Sequence, residues 1–226
     1  NKTIEETVYR RQKQEEYNTE NNIVPKQVEK AFSNTFEQAG ENVSTSYENF
    51  EEEVQYIINH ERRNRFIRNL ALDLKGNTLV LFARVEGHGQ PLYEMINNNT
   101  VDERQVFFVH GGVDTKDREK VREITEQENN AIIVASYGTF STGINIKNLH
   151  NVIFASPSKS RIRNLQSIGR VLRKGNNKTK ATLYDIADDI SYKSRRNYTL
   201  NHLIERIKVY NEENFNYDIV NIPLKN

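Results

Sequence analysis

Short apolar runs alternate with amphipathic stretches along the chain from residue 78 onward. Runs such as LVLFA and AIIVA carry no polar interruption, which is typical of strands that are covered on both faces. Strands that alternate with helices predict an α/β fold, a doubly wound and mainly parallel sheet with helices on both faces. The predicted strands are Thr78–Ala83, Gln105–His110, Ala131–Ser136, Asn151–Ala155 and Lys180–Ile186.

Apolar residues at helical spacing predict helices before and between these strands. The longest stripe predicts one continuous helix over about Tyr47–Lys75, which Gly76 ends because glycine readily adopts the conformation that closes a helix. Further helices are predicted at about Gln90–Asn97, Thr115–Gln127, Ser160–Arg173 and Thr199–Tyr210.

Residues 1–46 follow a different pattern from the rest of the chain. Residues 5–22 are polar and lack apolar periodicity, whereas residues 25–39 have helical spacing. We interpret residues 1–46 as a polar, partly helical linker-like segment and residues 47–226 as one α/β domain. The chain begins at Asn1 without an initiator methionine or a signal peptide, so we expect it to be a piece of a longer protein.

Composition excludes several classes of protein. No apolar run approaches the roughly 18 residues that a membrane span requires. The absence of cysteine excludes disulfides, thiolate metal sites and a cysteine nucleophile, and it fits a cytoplasmic location. The five histidines are scattered, and none has metal-ligand spacing, so no metal site is predicted.

Positive charge is concentrated in one part of the chain. The formal net charge is +1, but residues 159–208 hold 13 Lys and Arg against 4 Asp and Glu. A balance of +9 over this stretch is what a polyanion-binding surface requires, and a solvated basic face explains it equally well.

The predicted helix Ser160–Arg173 separates its apolar and basic residues. Ile162, Leu165 and Leu172 fall on one side, and the basic side holds Arg163, Gln166, Arg170 and Arg173. No acidic residue occurs between Ser156 and Leu183 to pair with these arginines. Arginines spaced in this way present planar forks to one anion, which is the arrangement that phosphate groups require.

Ligands of a doubly wound sheet bind at the carboxyl ends of its strands. The loops expected there are rich in Gly, Ser and Thr, and Ser136–Asn148 is long enough to predict a structured ligand-binding loop. The phosphate-loop motif GxxxxGK[ST] and a strand ending in paired acidic residues are both missing. The chain is therefore suited to help bind a nucleoside triphosphate without forming the whole hydrolytic site.

Three motifs resemble those of a known family. NTLVLFARVEGHG resembles helicase motif IV, VASYGTFSTGINIKNLHNVIFA resembles motif V, and LQSIGRVLRK resembles the QxxGRxxR pattern of motif VI. Their order and spacing, over about residues 51–190, are similar to the second, C-terminal RecA-like domain of superfamily 2 helicases. The resemblance implies ATP with Mg²⁺ as cofactor, bound mostly by the N-terminal RecA-like domain of the same protein.

The resemblance also implies roles for individual residues in ATP hydrolysis. Arg170 and Arg173 match the motif VI arginines that stabilise charge on the γ-phosphate, and Gln166 matches the residue that contacts the nucleotide or the first domain. Gly143 matches the motif V glycine, and Asn145 stands where many members have an aspartate near the ribose.

For nucleic acid, the resemblance implies Ser136 as a contact to a DNA phosphate. The remaining candidates are Arg84, Gly111, Gly112 and Thr139. Relatives of this kind act on branched or single-stranded DNA in recombination, replication and repair. Two other interpretations stay open, a non-catalytic nucleic-acid-binding module and a regulatory nucleotide-binding domain.

Overall fold

The computed structural model describes residues 47, 49–101, 104–143, 148–156 and 181–224. Within these ranges the strands are β1 (Thr78–Phe82), β2 (Val106–Val109), β3 (Ile132–Ser136), β4 (Asn151–Phe154) and β5 (Thr182–Asp185). They form one sheet in the order β2-β3-β1-β4-β5, and every neighbouring pair is parallel. The predicted parallel α/β sheet is therefore confirmed.

Six α-helices accompany this sheet within the described ranges. They are α1 (Phe50–Asn59), α2 (Glu61–Asp73), α3 (Gln90–Asn97), α4 (Thr115–Gln127), α5 (Tyr137–Gly143) and α6 (Tyr198–Glu212), and a π-helical turn (Val85–Gly89) leads into α3. The predictions for α3 and α4 are confirmed. The helices predicted over residues 25–39 and 160–173 lie outside the described residues.

The prediction of one continuous helix over Tyr47–Lys75 is wrong, because the chain breaks at His60. His60 has an extended backbone, and its Nδ1 accepts a hydrogen bond from the amide of Arg63 at 3.2 Å. This bond satisfies one of the amides that every helix leaves unpaired at its first turn, so α2 begins anew after His60. The apolar stripe continues across the break, and periodicity alone therefore does not reveal it.

One face of the sheet packs against α2 and α3. Strand side chains alternate between the two faces, so every second residue of β1, β3 and β4 points toward these helices. The resulting core is fully buried and consists of Val80, Phe82, Ile132, Val134 and Ile153 from the strands with Ile67, Ala71, Leu92 and Ile96 from the helices.

The other face is also covered. Its side chains are at most 2% exposed and comprise Leu79, Leu81, Ile133, Ala135, Val152 and Phe154. Asp185 at the end of β5 points to this face, where the Arg206 guanidinium of α6 donates to both of its carboxylate oxygens at 2.7 and 2.9 Å. Helices therefore lie on both faces, as the sequence predicts.

A single asparagine fixes the amino ends of the strands. The Asn77 side-chain amide lies within hydrogen-bond distance of the carbonyl oxygens of Thr125, Glu128 and Asn148, at 2.7–2.9 Å. Its own oxygen accepts from the amide of Ala131 at 2.8 Å. Asn77 thus ties the segments before β3 and β4 to the start of β1.

The π-helical turn approaches β1 so closely that only glycine fits at its end. A Cβ atom on Gly89 would lie 2.4 Å from the Phe82 ring, whereas a Cβ on Gly87 would meet nothing nearer than Ile58 at 4.0 Å. We expect Gly89→Ala to lower the free energy of unfolding by about 1–3 kcal/mol, because the core must shift to admit the methyl group. Gly87→Ala is the matched control and should have little effect. Urea unfolding measures both, and equal stability of the two variants would contradict the packing argument.

Candidate nucleic-acid and nucleotide site at the carboxyl edge of the sheet

Parallel strands bring the loops after all five strands to one edge, which we call the carboxyl edge. Arg84 follows β1, Gly111 and Gly112 follow β2, and Ser136 ends β3. Because β3 lies between β2 and β1, these residues come from three adjacent strands. The structure therefore places the predicted nucleic-acid contacts on one edge of the sheet.

Ser136 and Thr139 form the entrance to α5. The Ser136 hydroxyl accepts a hydrogen bond from the Thr139 amide at 3.3 Å and lies 2.7 Å from the Thr139 hydroxyl. Ser136 thus acts as a helix cap, and Thr139 is 3% exposed. The long loop that the sequence predicts over Ser136–Asn148 begins instead as helix. Direct contact between Thr139 and a phosphate would require its hydroxyl to leave this buried site.

Arg84 is held by a carboxylate from α1. Its Nη2 donates to Oε2 of Glu51 at 2.6 Å, and both side chains are partly exposed. The Arg84 guanidinium holds the pKa of the Glu51 carboxyl below its ordinary value, so Glu51 stays ionised at neutral pH. An exposed pair of this kind contributes little to stability, because water screens its charges. A phosphate can therefore displace Glu51 at little cost.

Of the two glycines after β2, Gly111 has open space where a side chain would start, whereas a Cβ on Gly112 would lie 3.0 Å from the His110 ring. A Cβ on Gly111 would have no atom within 4 Å, and both glycines are exposed. The Gly112 amide donates to Nδ1 of His110 at 3.1 Å. Nothing in the packing demands glycine at position 111, and its backbone is open to close approach by a ligand.

A buried polar chain supports the centre of the carboxyl edge. Ser156 Oγ accepts from the Ala83 amide at 3.1 Å and lies 2.8 Å from Nδ1 of His88, whose Nε2 lies 3.1 Å from Oδ1 of Asn64. The Asn64 amide nitrogen donates to the carbonyl of Ile58 at 2.7 Å, so its oxygen must accept from Nε2. His88 is therefore a structural histidine that joins the loops after β1 and β4.

Arg63 extends this support toward β5. It is 2% exposed, its Nε donates to Asp188 at 2.6 Å, and its Nη1 donates to the carbonyl of Ala155 at 2.8 Å. This buried pair fixes the chain after β5 against the end of β4. Periodicity places Arg63 on a helix and gives no signal that its partner lies 125 residues away.

Most predicted nucleotide contacts lie outside the described residues. This applies to Asn145, Gln166, Arg170 and Arg173. Gly143 is the last residue of α5, which follows β3 at the carboxyl edge. Their roles stay predictions. Among the described residues, no group of three or more His, Asp or Glu side chains is placed to hold a metal ion, and no helix is long and apolar enough to cross a membrane.

One basic segment at this end of the molecule is not among the residues predicted from the sequence. Residues 191–198 read SYKSRRNY and follow β5, and they form a tight turn that places Lys193, Arg195 and Arg196 in solvent. Three basic residues flanked by two tyrosines are a signal that the sequence carries. The predicted helix Ser160–Arg173 holds four of the 13 Lys and Arg of residues 159–208, and this segment holds three more.

The sheet order, the carboxyl-edge loops and the motif spacing define a RecA-like helicase domain. The family model of the helicase conserved C-terminal domain matches residues 61–175, which is half of the chain. The chain therefore belongs to this family and is a C-terminal superfamily 2 helicase domain.

The individual relatives are viral proteins. The chain is 40% identical over 188 residues to the ATP-dependent DNA helicase uvsW of Enterobacteria phage T4. The matched region covers 77% of this chain and 37% of the relative. The crystal structure of T4 UvsW matches with a TM-score of 0.68 over 78% of this chain and 38% of that one. "Putative ATP-dependent RNA helicase L396" of Acanthamoeba polyphaga mimivirus is 33% identical over 61% of this chain and 26% of its own length.

Two further facts bear on the extent of the likeness. The chain spans less than two fifths of the length of these relatives. Residues 1–33, which lie outside the described residues, match the family model named Ultra-violet resistance protein B. The pattern of residues in this segment points to no family by itself.

Proposed function

We propose that the chain is the C-terminal half of an ATP-dependent DNA helicase that acts on branched DNA in recombination, replication and repair. The observation that carries this proposal is the 40% identity to a phage DNA helicase over 188 residues. The carboxyl edge supports it, because loops from three adjacent strands there present hydroxyl groups, glycine backbones and an arginine.

In the proposed enzyme this chain completes a nucleotide site that an N-terminal RecA-like domain begins. Arg170 and Arg173 would place positive charge against the γ-phosphate, and Gln166 would contact the nucleotide or the partner domain. Gly143 and Asn145 would lie beside the sugar. ATP with Mg²⁺ supplies the phosphoryl group whose transfer to water drives movement along DNA. The contribution of these residues is to bind and orient that group and to balance its charge.

The nucleic-acid track in this proposal runs along the carboxyl edge. Arg84 would exchange Glu51 for a phosphate, and the open backbone of Gly111 would admit the strand closely, with the exposed Gly112 beside it. Ser136 would offer its hydroxyl, with Thr139 supporting it from the buried side. Contacts of this kind are to the backbone, so binding should show little sequence preference and a strong dependence on salt.

A non-catalytic nucleic-acid-binding module is the competing interpretation. It retains the fold and the basic surface but has no partner domain. RNA is the competing track, and the 33% identity to the mimivirus protein is the observation that favours it. The greater identity to the phage protein favours DNA.

The chain alone should not hydrolyse ATP, because a phosphate loop is missing from its sequence and nothing else in it would grip the β- and γ-phosphates. The full product of the gene should hydrolyse ATP, and four-way-junction DNA should stimulate it more than single-stranded DNA or RNA. A phosphate-release assay on both proteins measures this.

The outcomes separate the interpretations. No ATP hydrolysis by the full product with any nucleic acid would favour the binding module. Stimulation by RNA and not by DNA would overturn the choice of track. Hydrolysis by the chain alone that disappears in Arg170→Ala would show that the chain holds a complete site, which contradicts the proposed division of labour.

A further inference from the structure

The segment Tyr192–Arg196, which we call the basic turn, is a compact element with a strained tip. The Tyr192 amide donates to the Arg195 carbonyl at 3.1 Å, and the Arg195 amide donates back at 3.0 Å. Lys193 at the tip has a φ of 53°, a left-handed conformation that glycine or asparagine usually occupies. Residues other than glycine rarely adopt this conformation, so the tip of the turn is strained.

The base of the basic turn is anchored in the core. Glu53 of α1 is 1% exposed and accepts from the Asn197 side chain at 3.0 Å, the Tyr198 amide at 2.7 Å and the Thr199 amide at 2.6 Å. Asn197 also accepts from the Ile190 amide at 3.2 Å. The turn is therefore fixed at both ends, and its exposed side chains start from a rigid frame.

The cations of the basic turn are exposed and have no carboxylate partner within the described part of the chain. Lys193 Nζ lies 5.1 Å from the centre of the Tyr192 ring, and Arg195 Cζ lies 5.5 Å from the centre of the Tyr198 ring. Arg195 also donates to the Tyr198 hydroxyl at 2.8 Å. Aromatic rings order these cations without neutralising them. Their charges stay available to an external anion.

Helix α1 links the basic turn to the carboxyl edge. Its first turn holds Arg84 through Glu51 and holds the base of the basic turn through Glu53. Asp188, which follows β5, makes a second link. Its carbonyl oxygen accepts from the Asn197 side chain at 3.0 Å, and its carboxylate binds Arg63 of α2. The basic turn therefore belongs to the same end of the molecule as the predicted phosphate contacts, on the β5 side.

We propose that the basic turn is a nucleic-acid-binding element that extends the carboxyl edge beyond the helicase motifs. Three cations within four residues, with a tyrosine ring on either side of them, suit the evenly charged backbone of a nucleic-acid strand. The element lies outside motifs IV, V and VI. The proposal rests on the proposed nucleic-acid partner and does not depend on ATP hydrolysis.

The test compares two variants of the full chain that each lose three positive charges. The first variant is Lys193→Gln/Arg195→Gln/Arg196→Gln. The control is Arg65→Gln/Lys75→Gln/Lys208→Gln, whose cations are exposed on α2, before β1 and on α6. Fluorescence anisotropy with a fluorescein-labelled oligo(dT) of about 20 nucleotides and a labelled duplex of about 20 base pairs is recorded at several salt concentrations.

The first variant should bind about tenfold or more weakly at low salt. Its slope of log Kd against log salt should fall by about 2–3, because each phosphate that the turn neutralises adds about one to that slope. The control should keep the slope of the unchanged chain. Equal slopes in all three proteins would overturn the proposal and leave the carboxyl edge as the track. No binding by the unchanged chain would overturn the nucleic-acid partner itself.

Folding of the variants is checked by thermal unfolding, because Arg195 bonds to Tyr198. The double variant Lys193→Gln/Arg196→Gln leaves that bond intact and should lower the slope by about 2. A double variant that folds and binds as the unchanged chain does would also overturn the proposal.

Discussion

Replacing Arg170 by alanine in the full product of the gene is expected to lower DNA-stimulated ATP hydrolysis by about 10³–10⁵-fold. Arg170 and Arg173 lie on the basic side of the predicted helix Ser160–Arg173, apart from its apolar stripe. In the proposed nucleotide site, the change would remove a cation that balances charge developing on the γ-phosphate. Arg170→Lys should also be severe, because an ammonium group cannot replace the planar fork of a guanidinium.

The control for this prediction is Arg161→Ala, which removes an arginine from the same predicted helix but outside the QxxGRxxR pattern. Both variants should unfold within about 0.5 kcal/mol of the unchanged protein, as surface substitutions usually do. DNA binding without nucleotide should survive in both. If Arg170→Ala keeps near-normal hydrolysis, the basic side of this helix belongs to the DNA track and not to the nucleotide site.

Asp185→Ala is expected to lower the free energy of unfolding by about 3–5 kcal/mol. Asp185 accepts two bonds from Arg206 and one from the Tyr210 hydroxyl at 2.7 Å, and Arg206 is 3% exposed. Burial alone would lower the pKa of Arg206, and the Asp185 carboxylate raises it overall. Removing the Asp185 carboxylate takes away the negative charge that β5 places against the buried Arg206 guanidinium. Urea unfolding at neutral pH measures the loss.

Two comparisons isolate the cause. Lys208→Ala breaks an exposed pair with Glu205 on the same helix and should change stability by about 0.5 kcal/mol or less. The triple variant Asp185→Leu/Arg206→Met/Tyr210→Phe replaces the whole cluster by apolar groups of similar size and should recover most of the stability. A triple variant as unstable as Asp185→Ala would show that poorer packing, and not the loss of the Asp185 carboxylate from the buried Arg206, causes the effect.

The sheet could be predicted from the sequence because its physical cause is local. An apolar run such as Ile132–Ala135 is buried on both faces whichever strand lies beside it, so the sequence alone marks it. The break at His60 depends on one side chain turning back to an amide, which periodicity does not register. The helical start of the Ser136–Asn148 segment depends in the same way on the Ser136 cap.

The candidate site was predictable only in outline. That loops after parallel strands share one edge follows from topology, so Arg84, Gly111 and Ser136 could be grouped from the sequence. The side-chain pairs that hold residues in place at this edge could not be found from topology. Glu51 meets Arg84 and Glu53 meets Asn197 across 33 and 144 residues, and only the folded chain brings them together. The basic turn depends on the second of these pairs.

The strand order also governs how the chain folds as it is synthesised. The central strand β1 is the first of the five to be made, yet its partners are β3 and β4, and Thr78 aligns with Ile132 and Asn151. At a synthesis rate of roughly 5–20 residues per second, a few seconds pass between the synthesis of Leu79–Phe82 and that of β3, its first neighbour in the sheet. During that interval an apolar strand with two open edges is exposed to other nascent chains. Synthesis slowed between residues 83 and 131 should therefore increase aggregation more than synthesis slowed after residue 185.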